Sequence, residues 1–308
     1  MADVGSRRRP DGDAGNNVSL RMVCACIDIG TNTTRVLVAE VEGGRLTERL
    51  QQRSFTRIGT GMTGGGEILP AKMAEVARVV EDQLALAEKA GARGVRVVAT
   101  AAIRSCANRE EFVATVAHSM EILDGDEEAR LAFLGATRTL GRRLDGVIGV
   151  VDVGGGSTEL AIGTYDGGVT WSSSYRLGSG SIADDHLGSD PPTSAELSAA
   201  RAHACEVLGR TEVPAPDCGV AVGGSAASLR RLVGDVLEPT ALEGAMTVLK
   251  GASAADVARR YALDPERVRL LPAGILILDA ASQVLGQPLQ IGHGGLREGV
   301  LLDMARSL

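Results

Sequence analysis

The chain has 308 residues with a net charge of −7, and 44% of them are hydrophobic against 2% aromatic. Leu, Val, Ile and Ala must therefore build the core, and the length exceeds what one core usually holds. The acidic balance argues against a general nucleic-acid surface, and Lys72, Lys89 and Lys250 are the only lysines, so an anionic ligand must be gathered by local arginines. The five cysteines are odd in number and form no CxxC pair, which points to neither a disulfide framework nor a zinc knuckle. No apolar run reaches the ~18 residues of a membrane span, and the start lacks the apolar stretch of a secretory signal, so no membrane partner and a cytoplasmic location are expected.

Residues 1–20 are polar, with Arg7-Arg8-Arg9, and are expected to form a disordered tail before Met22. Apolar runs at Val23–Ile27 and after Thr34, then Arg45–Phe55, predict three strands. Pro70–Ala90 carries one apolar stripe (Met73, Val76, Ala77, Val80, Leu84, Ala87) and predicts a helix. Val95–Ala99 predicts a strand ending in the turn Thr100–Arg104. Asn108 with Glu111 predicts a capped helix to about Ser119. A brief strand at Ile122-Leu123 and a helix from Asp126 to Leu140 follow. Strands are then expected at Val147–Asp152, Glu159–Gly163, Val169–Tyr175 and Val220–Val222. Thr193 with Glu196 starts a helix to about Leu208, and Pro272 is expected to open an apolar helix to Leu285. The last elements are a strand at Leu289–Ile291 and a helix from Leu296.

One pattern stands out along this order. Asp28-Ile29-Gly30-Thr31-Asn32-Thr33-Thr34-Arg35 returns 124 residues later as Asp152-Val153-Gly154-Gly155-Gly156-Ser157-Thr158-Glu159. The register holds over 17 positions, through Glu42-Gly43-Gly44 and Asp166-Gly167-Gly168. Each copy is a strand ending in an acid, a Gly/hydroxyl turn, and a second strand. Such turns converge backbone N–H groups and hydroxyls on an anion, while the Asp holds a cation or a water. The candidate phosphate-binding residues are Gly30, Thr31, Asn32, Thr33 and Arg35 in one copy and Gly154, Gly155, Gly156, Ser157 and Thr158 in the other. Gly223-Gly224-Ser225 adds a third strand–Gly–helix turn.

These motifs resemble the actin, sugar-kinase and Hsp70 superfamily. Asp152–Leu160, Gly125–Arg130, Ala99–Arg104 and Gly295–Val300 narrow the resemblance to the exopolyphosphatase/guanosine pentaphosphate phosphohydrolase (Ppx/GppA) family, from about Met22 onward. The chain departs from long members, which carry an added C-terminal helical region, and in having Asp126 where many members have a small or polar residue. The resemblance implies an α/β fold of two ribonuclease-H-like domains across a phosphate cleft. They are expected at 21–124, joined by the C-terminal helix of about 297–308, and at 125–296. It further implies a homodimer and hydrolysis of inorganic polyphosphate or guanosine pentaphosphate (pppGpp).

By resemblance Glu128 is the catalytic base; an acid near a helix start also serves simply to offset the helix dipole. Glu127 is expected to be solvated. Asp28, Asp152 and Glu159 are the expected carboxylates for Mg²⁺ (or Mn²⁺), although Asp at a strand end also makes Asx turns. Glu159 occupies the position of Arg35 in the other repeat, where an unpaired charge in an apolar strand is costly. Arg104 is a candidate phosphate fork and catalytic residue, with Arg35, Arg130 and Arg297 as further cleft arginines. His118 and His203 fall in helices, His186 in a polar stretch, and His293 in a Gly-rich turn. An ATP-dependent kinase and a non-catalytic phosphate-polymer sensor are the competing classes.

Overall fold

The computed structural model describes residues 21–306, so the expectation for residues 1–20 lies outside the described residues. The first half holds β1 (Met22–Ile29), β2 (Thr34–Glu42), β3 (Arg45–Ser54), α1 (Pro70–Lys89), β4 (Gly94–Ala99), α2 (Ala101–Ser105), α3 (Arg109–Thr115), β5 (Met120–Ile122) and α4 (Gly125–Thr139). Its sheet runs β3-β2-β1-β4-β5, antiparallel through the hairpins and parallel from β1 onward. The stripe on α1 covers one face, burying Met73, Val76, Ala77 and Val80 against Ile27, Val36 and Val97.

The second half holds β6 (Val147–Val153), β7 (Thr158–Thr164), β8 (Gly168–Tyr175), α5 (Ser179–His186), α6 (Ser194–Leu208), β9 (Cys218–Val222), α7 (Gly223–Val233), β10 (Val236–Leu237), α8 (Pro239–Gly251), α9 (Ala254–Tyr261), α10 (Pro265–Leu285), β11 (Leu289–Ile291) and α11 (Leu296–Arg306). Its sheet runs β10-β11-β9-β6-β7-β8. The duplication is structural as well as textual. Asp28 pairs with Arg35 across β1–β2, and Asp152 with Glu159 across β6–β7. Each turn closes with the same backbone bond, Gly30 N–H to Thr33 at 3.0 Å and Gly154 N–H to Ser157 at 2.9 Å. Even the irregularity in pairing recurs at equivalent places, between Val38 and Ala39 and between Ile162 and Gly163.

Each half ends in a helix that packs on the other half's sheet. α4 lays Ala129, Phe133 and Ala136 on Ile148, Val150 and Ala161 of the second sheet. α11 lays Val300 and Leu301 on Cys24, Cys26 and Leu37 of the first, which is where those two thiols are buried. The helices meet at glycines: a Cβ on Gly135 would strike the Gly295 carbonyl, and one on Gly299 the Leu131 carbonyl. This crossed arrangement locks the halves together around the cleft between their strand ends.

Three local expectations need correction. Asn108 does not cap α3; its amide instead makes paired bonds with the backbone of Ile68, at 2.9 and 3.0 Å. α3 ends at Thr115 because Val116 turns extended and buries its side chain, leaving His118 in the bend beyond. α10 starts a full two turns before Pro272, at Pro265, behind an Asp264 cap that accepts the Glu266 N–H at 2.9 Å. Pro272 sits inside the helix. At 21 residues α10 is long and apolar enough to cross a membrane by length and composition, yet it is the central core helix of the second half. The Thr193–Glu196 capping box is present as the spacing predicts.

Candidate active site

The two duplicated turns face each other and line a cavity of about 500 Å³ together with Gly223-Gly224 and residues 292–298. Their approach is so close that side chains are excluded on one side. A Cβ on Gly155 would lie 2.7 Å from Asn32 Nδ2, and one on Gly156 would strike Thr31 Oγ. Gly223 has φ of +90°, and a Cβ there would come within 2.6 Å of Asp152 Oδ1. The glycines therefore leave backbone N–H groups open to a ligand that no side chain shields.

Four carboxylates gather at one end. Asp28, Asp152, Glu159 and Glu128 all line the cavity. Burial raises the Asp28 carboxyl, and its Oδ1 has no hydrogen-bond partner. Burial, then Glu159 and Asp28, push Asp152 up to about 7. Glu128 is 6% exposed, and its carboxyl is raised well above the usual range by burial and then by Glu159. Burial also raises Glu159, opposed by hydrogen bonds from Ser174 and Ser157. Glu128 owes its position to the helix start: Asp124 caps α4 by accepting the Glu127 N–H at 2.8 Å, which turns the next residue inward.

A chain of bonds ties these acids together across the two halves. Arg104 Nη1 donates to Glu128 Oε2 at 2.7 Å and to the Leu123 carbonyl at 2.9 Å. Ser174 Oγ donates to Glu159 Oε1 at 2.7 Å and lies 3.4 Å from Arg104 Nη2. A Cβ on Gly125 would meet Ser174 Cβ at 2.5 Å, so α4 needs glycine to start this close to β8.

Arginines gather at the other end. Arg35 is lowered to about 10 by burial and by Arg297, and its Nε donates to Thr33 Oγ at 2.9 Å. Arg267 is 5% exposed, with its Nε unpartnered. Burial, then Arg35 and Arg53, lower it to about 9. Like charges are not driven together by folding; an anion between them offsets the cost.

A family model described as the Ppx/GppA phosphatase family matches residues 37–308. The chain belongs to the Ppx/GppA family. Exopolyphosphatase 2 of Mycobacterium tuberculosis is 36% identical over 190 residues, 58% of this chain and 59% of that protein's length. The guanosine-5'-triphosphate,3'-diphosphate pyrophosphatase of Aeromonas hydrophila is 27% identical over 91% of this chain, which spans 59% of its length. A solved Aquifex aeolicus Ppx/GppA member superposes with a TM-score of 0.78 at 26% identity, covering 94% of this chain and 99% of that one. The fold is that of these two-domain α/β proteins.

Within this Ppx/GppA site the sequence-derived residues separate into groups. Asp28, Gly30, Thr31, Asn32, Thr33, Arg35, Glu128, Asp152, Gly154, Gly155, Gly156, Glu159, Gly223, Gly224, His293 and Arg297 line the cavity. Ser157 and Thr158 lie beneath it, with Thr158 Oγ bonded to the Leu177 carbonyl. Ser225 is fully buried against Gly274 of α10, away from the cavity wall. Arg104 is committed to Glu128 and does not line the cavity. Arg130 lies elsewhere, paired with Glu127 at 2.7 Å and Asp303 at 2.9 Å, which also gives Glu127 its partner. Sequence reasoning missed Arg53, Arg231 and Arg267. The Asp264-Pro265 helix start was the available signal for Arg267, since it locates the first turn of α10.

Among the described residues no group of three or more His, Cys, Asp or Glu side chains forms a ready metal cage. Mg²⁺ is typically held by one or two carboxylates plus water and substrate phosphate oxygens. The unpartnered Asp28 Oδ1 beside the raised Asp152 carboxyl fits such a cation.

Proposed function

We propose that the protein is a Mg²⁺-dependent exopolyphosphatase that releases terminal phosphate from short inorganic polyphosphate. The observation that carries this reading is the Glu128 carboxylate, raised by burial and then by Glu159, and held by Arg104 beside two facing phosphate turns. A carboxylate made more basic by burial is a better proton acceptor at neutral pH. In this reading the turn N–H groups, Thr31 and Asn32 hold the terminal phosphoryl group in line with a water near Glu128, and Arg35 meets the phosphates behind it. Glu128 takes the proton as the water oxygen bonds to phosphorus. The bridging P–O bond breaks, and its electron pair leaves on the shortened chain. Arg104 keeps Glu128 in place rather than gripping phosphate. Asp28 and Asp152 would hold Mg²⁺ or Mn²⁺, which would supply charge neutralisation on phosphoryl oxygens, while Glu159 stays in the bonded chain with Ser174.

The names of relatives support pppGpp as a second substrate reading. An ATP-dependent kinase is disfavoured because kinases of the superfamily that the chain resembles place their base acid on the second-substrate side, whereas Glu128 shares the cavity of the two phosphate turns. Phosphate release from polyphosphates of graded length and from pppGpp, with and without ATP, tests all of these. Release from polyphosphate without ATP is the expected result. A preference for pppGpp over every polyphosphate would replace the substrate and leave the site roles standing.

A further inference from the structure

The strand order gives the cavity a direction. Along the first sheet, Arg53, Arg35 and Asp28 sit side by side on β3, β2 and β1, and Val98 follows on β4. Along the second, Ser174, Glu159 and Asp152 sit side by side on β8, β7 and β6. Arg104, which follows β4, meets Ser174 of β8, while Arg53 on β3 meets the start of α10. The two rows therefore run together from the carboxylates to the arginines. Three strand spacings separate β4 from β3, roughly 14 Å. A polyphosphate with its end at Glu128 extends along this row toward Arg35, Arg267 and Arg53.

At the far end of the row Asp264 lines the cavity with Arg53, and a second acid in the first turn of α10, Glu266, lies outside the lining. Asp264 lies 3.5 Å from Arg53, and Glu266 pairs with Arg57. Both pairs cross between the halves and are a third or more exposed, so each is a weak ion pair that solvent and competing anions reach. Arg57 is held at φ of +42°, a left-handed conformation that side chains disfavour. Its N–H bonds the Asn32 carbonyl at 3.0 Å, and Ile58 N–H bonds the Thr31 carbonyl at 2.8 Å. The first phosphate turn itself thus fixes the arginine that Glu266 occupies.

We propose that Asp264 and Glu266 cap the anion row and set the chain length this enzyme accepts. The inference rests on the polyphosphate reading above. A phosphate beyond Arg53 must displace a carboxylate from its arginine and then sit beside that carboxylate, so each further unit gains little. With the acids neutralised, Arg53 and Arg57 become free to hold phosphate, and longer chains gain contacts that short ones cannot reach.

The test compares kcat/KM for tripolyphosphate and for long-chain polyphosphate in the wild-type protein, Asp264→Asn, Glu266→Gln and the double variant. Asn retains the cap on α10, and Glu266→Gln leaves that cap untouched, so the second variant guards against loss of folding in the first. The ratio of long-chain to short-chain efficiency is expected to rise about threefold to tenfold in the double variant, mostly through KM. An unchanged ratio, with wild-type hydrolysis of polyphosphate intact, overturns the cap alone. Failure of the wild-type protein to release phosphate from either polymer overturns the substrate reading and the cap with it.

Discussion

The first phosphate turn, Asp28 to Arg35, and the second, Asp152 to Glu159, share a register, a closing hydrogen bond and a strand irregularity, yet end in opposite charges. Backbone geometry is the common part, because Gly and Ser/Thr at a hairpin turn present N–H groups whatever surrounds them. Charge is the divergent part. Arg35 faces Arg297 and Arg267, whereas Glu159 faces Glu128 and Asp152. The first turn thus sets an acid beside an arginine, and the second sets two acids side by side.

Removing the cation should collapse this division most completely. Activity is expected to vanish in EDTA and to return with Mg²⁺ or Mn²⁺, hard ions suited to the carboxylates of Asp28 and Asp152. Full phosphate release after exhaustive chelation would show that the carboxylate end works without a metal.

Next in size is the base. Glu128→Ala is expected to lower kcat by ~10²-fold or more with substrate affinity retained. Glu127→Ala, which leaves Arg130 paired with Asp303, should do far less. Near wild-type turnover in a folded Glu128→Ala protein would remove the role from that residue.

The arginine end should respond differently. Arg267→Ala is expected to raise KM by about tenfold while changing kcat little, the signature of binding shared by ground and transition states. An equal loss in kcat would place Arg267 in the transition state and blur the contrast between the two ends.

The smallest effect concerns stability and has the opposite sign to the others. The Asp152 carboxyl is raised from 3.8 to about 7, so the folded state keeps a proton that the unfolded chain has already lost. Its contribution to stability is therefore present in acid and is lost as pH rises across that window. In chelator, Asp152→Asn should raise Tm at neutral pH by a few degrees and flatten its decline between pH 4 and 7, while impairing activity. A lower Tm under those conditions would mean that Asp152 is paired rather than strained.

Much of this was legible in the residues alone. The duplicated Asp–Gly–hydroxyl turn is a local pattern, with strand alternation on both sides, so its register and bonding follow from sequence-near chemistry. The helix stripe of α1 and the Thr193–Glu196 box are local in the same sense. Asn108 misled because the same amide that caps helices also bonds extended backbone, and Ile68, 40 residues away, was the better partner. Pro272 misled because a buried helix tolerates a proline that an isolated one would not.

What only the tertiary structure decided is which charges face one another. Arg104 and Arg130 are both candidate cleft arginines in sequence, one in a turn after a strand and one beside acids at a helix start. Yet α2 aims one at the buried Glu128, and the outer side of α4 leaves the other with Glu127 and Asp303. Gly223-Gly224-Ser225 reads as one motif, but its glycines line the cavity while its serine packs under α10. Arg267 carried no motif, and the first turn of α10 brings it to Gly224 from across the second half. Backbone turns are set by neighbours in the chain, so sequence determines them. Electrostatic partners are set by burial and by which faces of distant elements meet, and that is decided only when the halves close on each other.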